Sequence, residues 1–417
     1  MYFFYNIAIH IASFILIIIA FFNKKIRLFV YGRKGVLENL ESHFKSKGEV
    51  IWFHCASLGE FEQGRPIIES CKKKYKGHKI LVTFFSPSGY EIRKDYADAD
   101  LVSYLPLDTK HNSKKFVEVV NPKIAIFVKY EFWPNLLREL KARKIETILI
   151  SGNFRTNQAF FKWYGGWMNK SLKTFNHFFV QNNLSQQLLN NNGFNNVTIS
   201  GDTRFDRVND IIKQDNSLDF IAEFKDNKTI LVAGSTWPKD EENIVNYIND
   251  FANNEQKFII APHNIEGKAI EKLKNSISKK VVLFSEKEDA DLSSYQVLII
   301  DTIGLLSKIY NYADIAYVGG GFGAGIHNIL EPATFGIPII IGPNNRKFTE
   351  AQTLVKLGAC LVISSGTQLE FELTRLFNNE KVRQEKGEIS KKYVVENTGA
   401  TLKIVNYLSK KLSEKIT

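Results

Sequence analysis

From residue 50 onward the chain alternates short apolar runs with longer amphipathic ones, and this rhythm constrains the fold more than any other feature. VIWFHC begins a first series, and ILVTFF, IAIFVK, TILIS and VTIS follow, with helix-like segments between them. Parallel strands need crossover connections, so the alternation predicts parallel sheets with helices covering both faces. A second series opens with TILVAGS at residues 229–235 and continues through KFIIAPH, VVLFS, QVLIID, DIAYVGG and IPIIIG. Between the two, Asp206–Asp226 reads DRVNDIIKQDNSLDFIAEFKD, polar and without a strand-like run, which puts a domain boundary there. A length of 417 residues is long for one core and comfortable for two. No short-period repeat appears, so solenoids and propellers are poor candidates.

Before the alternation, Tyr2–Phe22 (YFFYNIAIHIASFILIIIAFF) carries no formal charge. At about 21 residues it is long enough to cross a ~30 Å hydrocarbon core. Lys24, Lys25, Arg27, Arg33 and Lys34 follow at once, and the positive-inside bias leaves the rest of the chain cytoplasmic. A cleaved signal peptide needs a basic start and a small-residue cleavage site, and both are missing here. The alternative to an anchor is a buried core helix. A net charge of +11 favours anionic partners: phosphates, anionic lipid headgroups or nucleic acid. No nucleic-acid module accompanies it. Cys55, Cys71 and Cys360 are scattered, which argues against a disulfide scaffold and fits a reducing compartment.

Two stretches carry chemistry. In WFHCASLGEFEQG, Trp52–Gly64, a strand-like run ends at Ser57-Leu58-Gly59 and delivers Glu60 to the carboxyl edge of a sheet, where open α/β folds place ligands. Glu60 is either a helix N-terminal charge or a catalytic base. The second stretch, YVGGGFGAGIHNILEPATFGIPIIIGP, runs from Tyr317 to Pro343. Its Gly319, Gly320, Gly321, Gly323 and Gly325 permit close backbone approach to a ligand, and a helix from Asn328 would aim free N–H groups at an anion. Gly319, Gly321 and Ala324 satisfy a loose dinucleotide pattern, but the helix before Gly336 is too short for one. Glu331, in the first helical turn, is either a ribose acceptor or a capping charge. DxD occurs at Asp98/Asp100 and Asp289/Asp291 without an oxygen-rich cage around it, so no essential metal is expected.

The ordered set ASLGE, SPSGYE, YLPLD, PKIAIFVKYEFWPN, GDTRFD, GSTWPKDEE, APHNIE, DTIGLL and GGGFGAGIHNILEPATFGIPIIIGP spans nearly the whole chain. With it the chain resembles the 3-deoxy-D-manno-octulosonic acid (Kdo) transferases of lipopolysaccharide synthesis, membrane-associated GT-B glycosyltransferases. The resemblance implies an α/β GT-B fold: an anchor over residues 1–23, an acceptor-binding Rossmann-like domain over 24–210, and a CMP-Kdo-binding one over 211–417 with the C-terminal helices. The two doubly wound domains would face a cleft. It implies an inverting transfer of Kdo from CMP-Kdo to a lipid A precursor of the lipid IVA type, at the cytoplasmic face of a bacterial inner membrane. CMP-Kdo would be the donor substrate, with no cofactor, and the anionic membrane surface a further partner.

The same resemblance assigns Glu60 as general base. The family's E-x-E-x-WPN motif reads KYEFWPN here, with Lys129 in place of the first acid and Glu131 as the second. Lys129 keeps a polar role with reversed sign, suited to a carboxylate or phosphate. Arg204 matches a family cation suited to charge on the leaving phosphate, with a structural ion pair as the alternative. CMP would be held by Pro262 and His263, by Ile303, Gly304 and Leu305, and by Gly321, Asn328, Ile329, Leu330 and Glu331. His263 and Leu305 depart from the usual Arg and acid. Ser235 and Thr236 would donate to the donor substrate or simply cap a helix. A GT-B enzyme using a UDP-hexose or CDP-alcohol shares the Gly-rich loop but not the combination of ASLGE with EFWPN.

Overall fold

The computed structural model describes residues 2–44, 48–129 and 131–413. The strands of the first sheet are β1 (Val50–Cys55), β2 (Lys79–Phe84), β3 (Leu101–Tyr104), β4 (Ile124–Val128), β5 (Glu146–Gly152), β6 (His177–Val180) and β7 (Val197–Ile199). They lie in the order β3-β2-β1-β4-β5-β6-β7, and every neighbouring pair is parallel. The second sheet holds β8 (Thr229–Thr236), β9 (Gln256–Pro262), β10 (Val281–Leu283), β11 (Val297–Ile299), β12 (Ile315–Val318), β13 (Ile339–Ile341) and β14 (Cys360–Val362). Its order is β10-β11-β9-β8-β12-β13-β14, again parallel throughout. Both sheets are doubly wound, as the alternation predicts.

All six residues of β1 are buried, because helices cover both faces of the sheet and every side chain meets apolar neighbours. Trp52 packs with Phe116 and Phe127 on one face, while Phe53 and Cys55 pack with Ile67 and Ile68 on the other. Each sheet reverses its winding beside its first strand: β1 lies between β2 and β4, and β8 lies between β9 and β12. The carboxyl ends flanking these reversals are where doubly wound folds gather ligand-binding groups.

The chain forms two compact units, the first running to Asp206 and resuming at Thr398, the second covering Arg207–Asn397. This corrects the sequence division at 210/211, which left the last helix with the second domain. Helix Ala400–Ser413 buries Ile404 and Leu408 in the first core, beside Phe61, Ile68 and Cys71 of helix Leu58–Lys74. Asp206 fixes its start, accepting hydrogen bonds from the Gly399 and Thr401 N–H groups and from the Thr401 hydroxyl. Tyr407 donates to Glu146 at 2.7 Å.

At the other end of the chain, helix Tyr2–Ile19 is long and apolar enough to cross a membrane. Arg33, expected among the headgroup-facing basic residues, instead turns into the first unit. Its guanidinium donates to the carbonyls of Phe29, Phe85 and Leu105, and stands 3.8 Å from the centre of the Phe29 ring. Burial lowers its pKa to about 10. Lys24, Lys25, Arg27 and Lys34 are exposed.

Candidate active site

Glu60 follows β1 in the first turn of helix Leu58–Lys74 and is only 7% exposed. Its carboxylate accepts from the Ala56 N–H, so it reaches back over the helix start that Ser57 leaves without a side-chain cap. The two sequence readings of Glu60 are therefore compatible: it serves the helix N-terminus and stands at the sheet edge. Burial, and then the neighbouring Glu131, raise its pKa from 4.5 to about 7, against the opposing pull of the Ala56 N–H and Lys129. A carboxyl poised there exchanges protons at physiological pH, the requirement for a general base.

The partners come from the far side of the winding reversal. β4 ends at Val128, and Lys129 follows with its N–H on the Ile150 carbonyl at 2.9 Å and a left-handed φ of 67°. That conformation costs a side-chain-bearing residue about 1–2 kcal/mol. Two other strand ends carry the same strain, at Ser151 (φ 54°) in β5 and Ser235 (φ 52°) in β8. Such outliers persist where surrounding structure holds them, and they gather at functional sites. Glu131 lies 3.7 Å from His54 Nε2.

His54 is fully buried but wired into a polar chain. The Trp133 indole donates to its Nε2 at 3.3 Å, which leaves the ring proton on Nδ1, 2.9 Å from the Thr83 hydroxyl oxygen. That oxygen also accepts from the Trp52 indole at 2.8 Å. The chain runs from the core to Trp133, two residues from Glu131, and only the long-range contact of His54 with Trp133 reveals it. Arg204 is pinned by Asp202, whose carboxylate takes Nη2 at 2.8 Å and Nε at 3.0 Å. The neighbouring Thr203 hydroxyl donates to the Gln63 carbonyl, one turn along the helix that carries Glu60.

In the second unit the expected donor residues gather at the carboxyl ends of β8, β9, β11 and β12. Ser235 and Thr236 close β8; the buried Thr236 hydroxyl donates to Glu241, and the cap position of the next helix is Trp237. Pro262 ends β9, and the His263 N–H bonds to the Thr236 carbonyl at 2.9 Å. Ile303 is 83% exposed, Gly304 has a φ of 98°, and Leu305 precedes helix Leu306–Ile309. The helix after the Gly-rich loop begins at Leu330, later than expected and with only five residues, and the Asn328 side chain accepts from the Leu330 N–H. Ile329 and Leu330 are buried. Glu331 accepts from Asn328 and Ser307, each at 2.9 Å, and Arg207 supplies a nearby positive charge.

The glycines answer first to internal packing. A Cβ on Gly319 would stand 2.3 Å from the Ser235 carbonyl oxygen, and one on Gly321 would stand 2.6 Å from the Gly342 Cα. The closeness expected toward a ligand is, at these two positions, closeness to neighbouring backbone. A Cβ on Gly323 would meet only the Gly320 carbonyl oxygen, at an ordinary contact distance of 3.7 Å.

A family model described as 3-deoxy-D-manno-octulosonic-acid transferase (kdotransferase) matches residues 31–207. The 3-deoxy-D-manno-octulosonic acid transferase of Aquifex aeolicus is 32% identical over 348 residues, covering 82% of this chain and 89% of that protein. The chain belongs to the Kdo transferase family. It is a glycosyltransferase, and its paired sheets are the GT-B architecture. The fold extends to more distant proteins. UDP-GlcNAc 2-epimerase from Neisseria meningitidis superimposes with a TM-score of 0.60 at 14% identity, over 87% of this chain and all (100%) of that one. MurG from Acinetobacter baumannii does so at 0.54 and 11%, with the same coverage.

Within this Kdo transferase the structure groups Glu60, Lys129 and Glu131 in one unit and the expected donor residues in the other. Sequence reasoning missed Asp240, a buried acid that accepts from the Tyr317 hydroxyl at 2.6 Å, the Gly320 N–H at 2.8 Å and the Trp237 N–H at 2.9 Å. It ties the Gly-rich loop to helix Pro238–Asp250. Also missed was a stack of three rings, with His263 4.7 Å from Trp237 and 4.6 Å from His327. The GSTWPKDEE motif contains Asp240 and Trp237, but nothing local marks either as a partner of a loop some 80 residues on. Among the described residues no group of three or more His, Cys, Asp or Glu side chains is arranged to hold a metal ion.

Proposed function

We propose that this Kdo transferase moves Kdo from CMP-Kdo to the diglucosamine headgroup of a lipid A precursor of the lipid IVA type, inverting the anomeric centre. The buried Glu60 carboxyl, with its pKa near 7 beside Lys129 and Glu131, is the observation that carries this reading. Deprotonated Glu60 takes the proton from an acceptor hydroxyl while that oxygen forms its bond to C2 of Kdo. The C2–O bond to the phosphate breaks, and CMP leaves with the electron pair. One displacement needs one base, and it inverts configuration. In this reading Lys129 meets the carboxylate of Kdo or a phosphate, Glu131 holds the acceptor or the developing positive charge, and Arg204 meets the charge on departing CMP.

In this reading the first unit binds the acceptor. The second binds CMP-Kdo through the strand ends from Ser235 to Leu305 and the segment Gly321–Glu331, with Glu331 on the ribose diol. The protein works at the cytoplasmic face of a bacterial inner membrane, held there by its N-terminal helix and the basic residues after it. The decisive experiment incubates the protein separately with CMP-Kdo, a UDP-hexose and a CDP-alcohol, each with a detergent-dispersed lipid IVA-type acceptor. Mass spectrometry of the lipid should show Kdo addition from CMP-Kdo alone. Hexose addition, or transfer that survives in Glu60→Gln at the parent rate, would overturn the donor assignment or the base assignment respectively.

A further inference from the structure

Helix Tyr2–Ile19 presents one stripe to the first unit and another to the outside. Tyr2, Tyr5, Asn6, Ile9, Ser13 and Leu16 are partly buried and Ala20 is fully so, whereas Phe4, Ile11, Phe14 and Ile18 are 67%, 54%, 65% and 47% exposed. The inward stripe is the polar one, and its first turns are bonded to the protein. Tyr5 donates to Asp108 at 2.7 Å, the Asn135 side chain donates to Asn6 at 3.0 Å, and the Tyr2 hydroxyl donates to Asn135. Lys110 and Arg138 lie 5.4 and 5.2 Å from the centre of the Tyr2 ring. Asp108 is itself deeply held, accepting also from the Ser113 hydroxyl and from the Asn135 and Leu136 N–H groups that open helix Pro134–Ala142. The far end is seated on the helix that follows, Lys24–Tyr31: Ala20 is buried, Arg27 of that helix donates to the Ala20 and Phe21 carbonyls, and Arg33 just beyond it is bonded to Phe85 and Leu105 of the first unit.

Eighteen residues of helix are about 27 Å long, so a helix along the bilayer normal would carry one end that far from the protein. Here both ends rest on the same unit. We infer that this helix does not cross the bilayer but lies in the plane of one leaflet, its polar stripe docked on the first unit and its outer stripe in hydrocarbon. The occupant of the outer face is a lipid surface. Exposed Phe3, Phe4, Phe21 and Phe22 bracket the helix, and Lys24, Lys25 and Arg27 follow it, a pairing that suits acyl chains beneath anionic headgroups. Between the middle of the helix and the chain at Phe29, Val30, Val36 and Leu107 lies a cavity of about 520 Å³, lined mainly by apolar atoms. Arg33, Lys34 and Glu38 also line it, so acyl chains reaching around an in-plane helix would enter such a space from beneath polar headgroups.

This inference goes beyond the proposed function and does not rest on which sugar is moved. Cys55, Cys71 and Cys360 are buried, so spin labels directed to single introduced cysteines report only the chosen sites. Phe4→Cys, Ile11→Cys and Ile18→Cys lie on one outward stripe, where substitution leaves the seat intact. The full-length protein, reconstituted in vesicles of phosphatidylethanolamine with a minority of phosphatidylglycerol, is read by power-saturation depth measurement. An in-plane helix places all three labels at the same depth below the headgroups. A maximum of depth at residue 11, with 4 and 18 shallow on opposite faces, would overturn the inference in favour of a spanning helix. Three labels in water would overturn it in favour of a soluble surface.

Discussion

Glu60→Gln should cost activity and gain stability, and the gain should depend on pH in a stated direction. Folding raises the carboxyl from 4.5 to about 7. A carboxyl with raised proton affinity stabilises the fold fully below about pH 4.5, and that contribution is lost as the pH climbs through about 7. Glutamine cannot ionise, and it keeps an acceptor for the Ala56 N–H. The parent therefore falls behind the variant by about 1 kcal/mol near pH 5 and about 3 kcal/mol near pH 8. Urea unfolding followed by tryptophan emission measures this in the right unit, since Trp52, Trp133, Trp163 and Trp167 lie in the first and only Trp237 in the second. Turnover should drop on the order of 10²-fold, and the parent's rate should rise with pH through an apparent value near 7. A stability difference that does not change with pH, or a variant weaker than the parent near pH 8, would refute the claim that Glu60 is held ionised at a cost.

Lys129→Met removes a positive charge that holds the Glu60 pKa down, so the rising limb of the pH–rate profile should move to higher pH; an unmoved limb would detach Lys129 from Glu60. Lys129→Glu should abolish transfer if the lysine meets an anion on the donor, and unchanged activity with unchanged CMP-Kdo affinity would sink that role. His54→Phe leaves the Trp133 indole without its acceptor, a cost of roughly 1–3 kcal/mol. It should lower kcat while the limb near 7 stays in place, as expected of a residue that holds Trp133, two residues from Glu131; calorimetry and a pH profile together check it. Asp240→Ala strands three donors, so the second unit should lose at least about 3 kcal/mol and CMP affinity should fall with it; urea unfolding followed by Trp237 emission tests this.

Long apolar strands were legible because a parallel strand buried on both faces must be apolar throughout: VIWFHC, ILVTFF and TILVAGS became β1, β2 and β8. β3 (LVSY), β6 (HFFV) and β14 (CLV) were not, although VTIS, VVLFS, QVLIID and IPIIIG became strands of three residues; at that length only a neighbouring strand tells a sheet member from an apolar patch in a loop. Glu60 was legible from the strand, turn and acid that precede any tertiary contact. Asp108, His54 and Asp240 were not, because each acquires its meaning from partners 77 to 103 residues away. Helix Ala400–Ser413 shows the same limit, since its pattern reveals that one face is buried but not in which unit. Arg33 read as one more cation in a basic run, and only the carbonyls and rings that surround it make it part of the core.

Because that last helix returns to the first unit, the second unit is an insertion within the first. During synthesis the groove along helix Leu58–Lys74 stays open until the end of the chain arrives, with Ile404 and Leu408 the missing pieces of its wall. The helix that bears Glu60 therefore reaches its final support only after the whole inserted unit has left the ribosome. A nascent chain stopped anywhere in the second unit would display an unfinished apolar surface rather than a half-working enzyme. For the same reason a proteolytic nick near residue 397 should loosen the first unit, although every strand of that unit lies far upstream in the chain.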